Sequence, residues 1–457
     1  MNLFTKTITS LITAPITQNI ALIRISGPQT YSIIAQIFDR SLPAYPQPKP
    51  QLVFGQIINP QKEILDQILL LCFYRPRSFT GEDVVEISCH GNLLIVNQII
   101  KLILEKGAEL AQPGEFTKQA FFNRKLNLVQ AEAVNDLIQA PSLVGTKLAL
   151  HNLNPATQTK LDNLEKELLD LIANLMVNID YPEYDGAQDL TSSIVLPRLS
   201  KLVARLQLIK QKGEKGQIYQ SGLKVAIIGK PNVGKSTLLN ALLQEEKALV
   251  SPVAGTTRDI VEARYTLKSV PLSLLDTAGI HTTTDLVEKM GVSRSYQALE
   301  QADLIFFCVD NTGQWGQEEE NIFQKIKSKN YLLIINKIDE PNRFQPPSFI
   351  QSEKVCRISA KKCQLAELEN KIEQLFSSDL ISNLPNYPVL SSGWQQAKLT
   401  QLIQQLTRII EELKKKVPLD AVGSDLEISY KLFRELSGKE YKEDLLDIVF
   451  SKFCLGK

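Results

Sequence analysis

Several absences bound what this chain can be. Nowhere in its 457 residues do 18 apolar residues run together, so no transmembrane helix is expected. Residues 1–20 are apolar with scattered Thr and Gln, carry Lys6 as their one charge and are interrupted by Pro15; this is a poor secretory signal. Neither sign of charge is in excess, with 51 Lys and Arg against 50 Asp and Glu and a net charge of +1. Such a balance gives no support to bulk electrostatic capture of nucleic acid, although a local basic patch stays open. The six cysteines (Cys72, Cys89, Cys308, Cys356, Cys363 and Cys454) form no Cys-x-x-Cys pair, so neither a zinc site nor a disulfide framework is expected. Reduced thiols in a cytoplasmic protein fit best. Internal repeats and low-complexity tracts are missing as well.

The remaining composition, 44% hydrophobic and 22% charged, is that of a globular chain, and its length suggests two to four domains. Residues 1–118 mix short β-like runs (Ile20–Ile25, Ile68–Phe73, Val84–Ser88) with the helical stretch Leu93–Lys106, and turn signals such as Pro46–Pro50 and Pro113–Gly114 separate them. This predicts a small α+β domain. Residues 119–217 turn to helical spacing, as in Leu161, Leu164, Leu168, Leu169, Ile172 and Leu175. Gly213–Ser221 reads as a linker. Over 218–380 strand and helix patterns alternate, which predicts a βαβ domain; Ser377–Pro388 reads as the next linker, and 381–457 returns to helix. The expected fold class is therefore multidomain α/β plus α-helical. It has an N-terminal α+β domain and a helical domain, 119–217 with 381–457, split by an inserted P-loop domain at 218–380. Four domains in line are the alternative.

The mostly apolar run Leu223–Ile228 leads into Gly229-Lys230-Pro231-Asn232-Val233-Gly234-Lys235-Ser236 and then into a helical pattern from Thr237. That is a P-loop in its strand–loop–helix setting. Glycines turn backbone N–H groups towards a phosphate, and the helix adds its positive end. Lys235 can reach the outer phosphates and Ser236 can ligate Mg²⁺. Asp276-Thr277-Ala278-Gly279 follows the apolar run Val270–Leu275; its carboxylate suits the Mg²⁺ shell and Gly279 can offer an N–H to a γ-phosphate. Asn336-Lys337-Ile338-Asp339 ends the run Leu332–Ile335. The Asp339 carboxylate can accept from guanine N1 and N2, a donor pair that adenine lacks, so GTP is expected over ATP. Ser359-Ala360-Lys361 falls where a backbone N–H would meet guanine O6. Between the first two motifs, Gly255-Thr256-Thr257-Arg258-Asp259 offers Thr257 as the switch residue closing on Mg²⁺ and γ-phosphate. Four motifs in order, each at a strand end, point to a GTP site at the carboxyl edge of a sheet.

The motif set resembles the translation-factor-like (TRAFAC) GTPases of the Era and TrmE group. Ile280 stands after Asp-Thr-Ala-Gly where other GTPases carry Gln. The resemblance implies a K⁺ ion near the β–γ bridge instead, held by Asn232 and by the segment containing Ser251, Val253 and Thr256. It extends along the chain: Arg24-Ile25-Ser26-Gly27, Ser78-Phe79-Thr80-Gly81-Glu82-Asp83, Pro113–Thr117, Lys125–Ala133 and the ending Phe453-Cys454-Leu455-Gly456-Lys457 are similar to those of the TrmE (MnmE) family of tRNA-modification GTPases. That resemblance implies homodimerisation and formyl-tetrahydrofolate binding through the N-terminal domain, with contacts from Arg24, Glu86, Lys125 and Lys457. It implies Glu288 as the residue that orients water. It further implies a flavin-dependent MnmG-type partner, a possible heterotetramer with it, and modification of carbon 5 of the tRNA wobble uridine to a carboxymethylaminomethyl-type product. No membrane role is implied.

Two departures from the family pattern lie near the expected folate site: Pro15–Asn19 replaces a glycine-rich stretch, and Asn92 follows His90-Gly91 in place of a second glycine. His90 reads equally as a core or turn residue or as a pocket residue. Cys454 is an isolated thiol or a group near the one-carbon chemistry. The basic runs Lys210–Lys215 and Lys414–Lys416 read as solvated helix faces. A ribosome-assembly or RNA-checkpoint GTPase is the alternative from another class, but no KH-type Gly-x-x-Gly loop follows the nucleotide domain. A nucleotide-binding scaffold without tRNA-modifying activity is a third reading.

Overall fold

Buried β-strands need apolar side chains on every face that meets a helix, and the chain supplies such runs in two groups that become two six-stranded sheets. The computed structural model describes residues 6–47, 49–180, 195–244, 263–268, 270–275, 299–341, 344–376, 387–415, 417, 419–441, 443–451, 453 and 456. By contact density it divides into two units, 1–135 with 161–196 and 408–457, and 136–160 with 197–407. The helical segments are thus shared between the units.

In the first unit, β1 (Ile8–Leu11), β2 (Ile20–Ser26), β3 (Gln51–Ile58), β4 (Ile64–Phe73), β5 (Val84–His90) and β6 (Glu109–Leu110) lie in the order β3-β4-β5-β2-β1-β6. Neighbours are antiparallel except β1 and β6. Alternation decides the faces. Ala21, Ile23 and Ile25 of β2 line up with Val85, Ile87 and Cys89 of β5 and pack with helices α1 (Thr30–Ile37) and α2 (Leu93–Glu105). The intervening positions put Arg24 directly opposite Glu86 on the other face.

In the second unit, β7 (Leu223–Ile228), β8 (Ala263–Leu267), β9 (Val270–Leu275), β10 (Leu304–Asp310), β11 (Tyr331–Asn336) and β12 (Val355–Arg357) take the order β12-β11-β10-β7-β9-β8. All pairs are parallel except β8 with β9. Both faces are covered, as a parallel sheet requires: Phe306, Cys308 and Ile334 pack to one side, and Ile305, Phe307 and Ile335 to the other. The chain leaves β7 towards β9 on one flank and builds β10, β11 and β12 on the opposite flank. This reversal of strand order opens a crevice at the carboxyl end of β7.

Gly213–Ser221 is not a linker. It is the last part of a continuous helix, Leu196–Ser221. Its glycines answer to packing: a Cβ on Gly213 would overlap the Leu390 carbonyl and the Gln396 amide, and one on Gly216 would lie 2.5 Å from Val389. Glycine marks close approach here, not a break. Among the described residues no helix is long and apolar enough to cross a membrane.

Candidate nucleotide-binding site

The loop from Gly229 to Gly234 joins β7 to a helix at Lys235–Gln244. Its sharp path rests on three left-handed residues: Gly229 at φ +148°, Asn232 at +62° and Gly234 at +92°. Asparagine tolerates that region better than other side chains. A Cβ on Gly229 would strike the Cys308 carbonyl, and one on Gly234 the Asn336 amide, so neighbouring strands hold the loop tightly. Lys235 folds back over it, its Nζ donating to the carbonyls of Gly229 at 2.9 Å and Lys230 at 2.7 Å. Burial pushes the Lys235 ammonium below its ordinary pKa, which suits a cation awaiting anionic oxygens. Ser236 and Thr237 are exposed on the first helical turn, and the Ser236 hydroxyl is a hard oxygen donor of the kind Mg²⁺ takes.

Three further loops meet this edge. Asn336, 2% exposed, donates from Nδ2 to the Val233 carbonyl at 2.9 Å and accepts at Oδ1 from the Ala360 N–H at 3.0 Å. One side chain therefore ties the β7, β11 and β12 loops together. Ser359 donates to Asp339 Oδ1 at 2.6 Å, and this bond holds the Asp339 carboxyl below the usual carboxylate range. Ser359 and Gln364 close their turn with paired backbone bonds, leaving Lys361 exposed.

Two ion pairs at the site were not foreseen in the sequence. Lys337 Nζ meets Asp310 Oδ2 at 2.6 Å, at the ends of β11 and β10. Lys230 Nζ meets Glu319 Oε2 at 2.8 Å and raises its own pKa in doing so. The same Glu319 oxygen accepts from the Gly316 N–H at 2.9 Å, capping the helix Gln317–Ile326. Cys308 lies under the loop, but burial pushes its thiol up to about 12, so it stays a neutral packing group. Ser251, Val253, Gly255, Thr256, Thr257, Asp276, Thr277, Ala278, Gly279, Glu288, Cys454 and Lys457 lie outside the described residues.

In the first unit, Arg24 donates from Nε and Nη2 to Glu86 Oε1 at 2.9 and 2.7 Å. Phe79 and Phe116 flank its guanidinium, with ring centroids 5.3 and 5.4 Å from Cζ, and Nη1 reaches the Gly456 carbonyl at 3.4 Å. The guanidinium is thus paired with a half-buried carboxylate and held between two aromatic rings. Lys125 is placed on the neighbouring loop: its stem lies beside Gly81 and its ammonium donates to the Pro76 carbonyl at 3.0 Å. Pro15–Asn19 is tied to Gly91 through Gln18 N to Gly91 O at 3.1 Å and Gly91 N to Asn19 O at 3.3 Å. Asn92 caps α2 by accepting from Leu94 N at 2.9 Å, which accounts for a capping residue where the family pattern has glycine. His90 is the last residue of β5, opposite Ile20 of β2, and its Nδ1 lies 2.7 Å from Asp66 Oδ1.

Comparison with known proteins agrees along the whole chain. Residues 7–125 match the family described as "GTP-binding protein TrmE N-terminus", and residues 128–454 match the one described as "MnmE helical domain". A protein of Lactiplantibacillus plantarum called tRNA modification GTPase MnmE is 37% identical over 456 residues, covering 99% of this chain and 98% of that protein. One of the same name from Acholeplasma laidlawii is 40% identical over 454 residues, covering 99% of each.

Proposed function

The chain belongs to the MnmE family of tRNA modification GTPases, and on that premise we propose that it hydrolyses GTP at the β7 loop to drive modification of carbon 5 of the tRNA wobble uridine. The observation that carries the nucleotide half is Asn336, whose two hydrogen bonds gather a phosphate-type loop and two base-type loops at one sheet edge. In this reading Lys235 moves from its own loop carbonyls to the β- and γ-phosphates, and the loop N–H groups from Asn232 to Thr237 surround them. Asp339 accepts from guanine while the Lys361 N–H would serve its oxygen, the Ala360 N–H being held by Asn336. Ser236, with Thr257 and Asp276, would hold Mg²⁺; Asn232, with Ser251, Val253 and Thr256, would hold K⁺. When bound, these ions would supply fixed positive charge beside the phosphates. Glu288 orients the attacking water, and Gly255, Thr277, Ala278 and Gly279 close around the γ-phosphate.

The rest of the proposal concerns assembly and chemistry. Residues 218–380 form the nucleotide domain, inserted into a helical domain at 119–217 and 381–457. Residues 1–118 dimerise and bind formyl-tetrahydrofolate at Arg24, Glu86, Lys125 and Lys457, near Cys454. A flavin-dependent MnmG-type protein completes the reaction in the cytoplasm. Nucleoside analysis of total tRNA from cells with and without the gene tests this. Loss of the aminomethyl-type wobble uridine is expected on deletion. An unchanged profile would overturn the tRNA-modification reading and favour a ribosome-assembly GTPase.

Asn336→Ala should weaken the site without touching nucleotide directly. It leaves the Val233 carbonyl and the Ala360 N–H without their partner, and each such buried group costs about 1–3 kcal/mol. We expect GDP affinity to fall at least about tenfold, measured with a fluorescent GDP analogue. Wild-type affinity would mean that the loops hold together without this side chain.

A further inference from the structure

The helix Leu196–Ser221 carries six cations, Arg198, Lys201, Arg205, Lys210, Lys212 and Lys215, against a single acid, Glu214. This imbalance stands out in a chain whose total charge is +1. Glu214 pairs with Lys210 on one flank of the helix. The other five cations share a different face. Positions 198, 201, 205, 212 and 215 repeat at the three- and four-residue spacing of one helical stripe, with exposed Leu208 filling the remaining place. At a rise of about 1.5 Å per residue the stripe runs about 26 Å. Arg198, Lys201 and Lys215 are exposed, whereas Arg205 and Lys212 are half-buried.

A helix face that is merely solvated gains from alternating signs at this spacing, and like charges there are destabilising by about 0.2–0.5 kcal/mol per pair. Arg205 already interacts within the protein; the like-charge pairs Arg198 and Lys201, and Lys212 and Lys215, each three residues apart, are a local cost that an anionic partner would remove. The helix cannot insert into a lipid surface by its apolar face, because Leu199, Leu202, Val203, Leu206 and Ile209 are buried against protein. We infer that this stripe binds the phosphate backbone of RNA, and, resting on the tRNA-modification reading, that the RNA is the substrate tRNA. A straight row of cations fits a row of phosphates and needs no base contacts, which is how structured RNA helices are commonly held.

The test uses the full-length protein and a variant carrying Arg198→Gln, Lys201→Gln, Lys212→Gln and Lys215→Gln. None of these positions lies in the nucleotide site, so GTP turnover without tRNA should match wild type and reports intact folding. Binding of an unmodified tRNA transcript is followed by fluorescence anisotropy across a NaCl series. The variant should bind at least about tenfold more weakly at low salt, and its log–log salt slope should be shallower by about three, at roughly 0.7–0.9 per lost phosphate contact. Equal affinity and equal slope would overturn the inference. A defect confined to phosphatidylglycerol vesicles, with tRNA binding intact, would do the same and assign the stripe to membranes. The functional premise fails separately. If gene deletion leaves tRNA nucleosides unchanged while the variant still loses RNA binding, the stripe stands and the tRNA-modification reading falls.

Discussion

Lys235→Ala should abolish GTP hydrolysis, reducing turnover by at least about a hundredfold, the scale seen when one preorganised electrostatic group is removed from a transition state. The expectation rests on position. Lys235 starts the helix that follows the loop, and its ammonium hangs over that loop on the carbonyls of Gly229 and Lys230 at 2.9 and 2.7 Å. Those carbonyls are weaker partners than phosphate oxygens, and burial already disfavours the charge, so phosphate is the better site for it. Alanine removes the charge and leaves the path of the loop intact, because the left-handed residues Gly229, Asn232 and Gly234 set that path. Lys235→Arg should not restore activity: a planar fork cannot occupy the place of a compact ammonium. Phosphate release measured with Mg²⁺ and K⁺ present checks both variants. Turnover retained by Lys235→Ala would remove the phosphate-site assignment.

The parts of the fold that were legible are those in which a single segment carries the whole signal. Leu223–Ile228 and Val270–Leu275, interrupted only by Lys224 and Ser273, and the run through Leu332–Ile335 are mostly apolar because parallel strands are covered on both faces, and each becomes a strand of the second sheet. Motifs at their ends could therefore be placed on one edge from sequence. What stayed hidden depends on partners distant in the chain. Asn336 reads as a base-motif residue, yet in the fold its amide links two other loops. Lys230 is given no role by the motif, and only packing reveals Glu319 as its partner. Arg24 is flagged by its motif, while its aromatic flanks come from Phe79 and Phe116 in segments with no local reason to meet. Gly213 and Gly216 mislead for the same reason. Glycine breaks a helix in isolation, but here it lets a helix approach Leu390 and Val389 closely, and the gain in contact overrides local propensity.

Asp339→Asn should reverse base selection while sparing the phosphate chemistry. The Asp339 carboxyl receives the Ser359 hydroxyl at 2.6 Å, which keeps it ionised and fixes its plane. A carboxylate oxygen has two acceptor sites, so this bond leaves acceptors for guanine N1–H and N2–H. Asparagine replaces one acceptor oxygen with an N–H₂ group, setting donor against donor at the base. Hydrogen bonds to a charged group contribute about 1.5–3 kcal/mol each, so GTP affinity should fall by about one hundredfold or more. Xanthine carries a carbonyl where guanine carries its exocyclic amine, and the new amide would donate to it. The variant should therefore bind and hydrolyse xanthosine triphosphate better than GTP, with maximal turnover near that of wild type because Lys235 and its loop are unchanged. Competition of GTP, xanthosine triphosphate and ATP against a fluorescent nucleotide measures the switch. If the three compete with Asp339→Asn as they do with wild type, Asp339 does not read the base, and the Ser359 bond must be explained as turn structure alone.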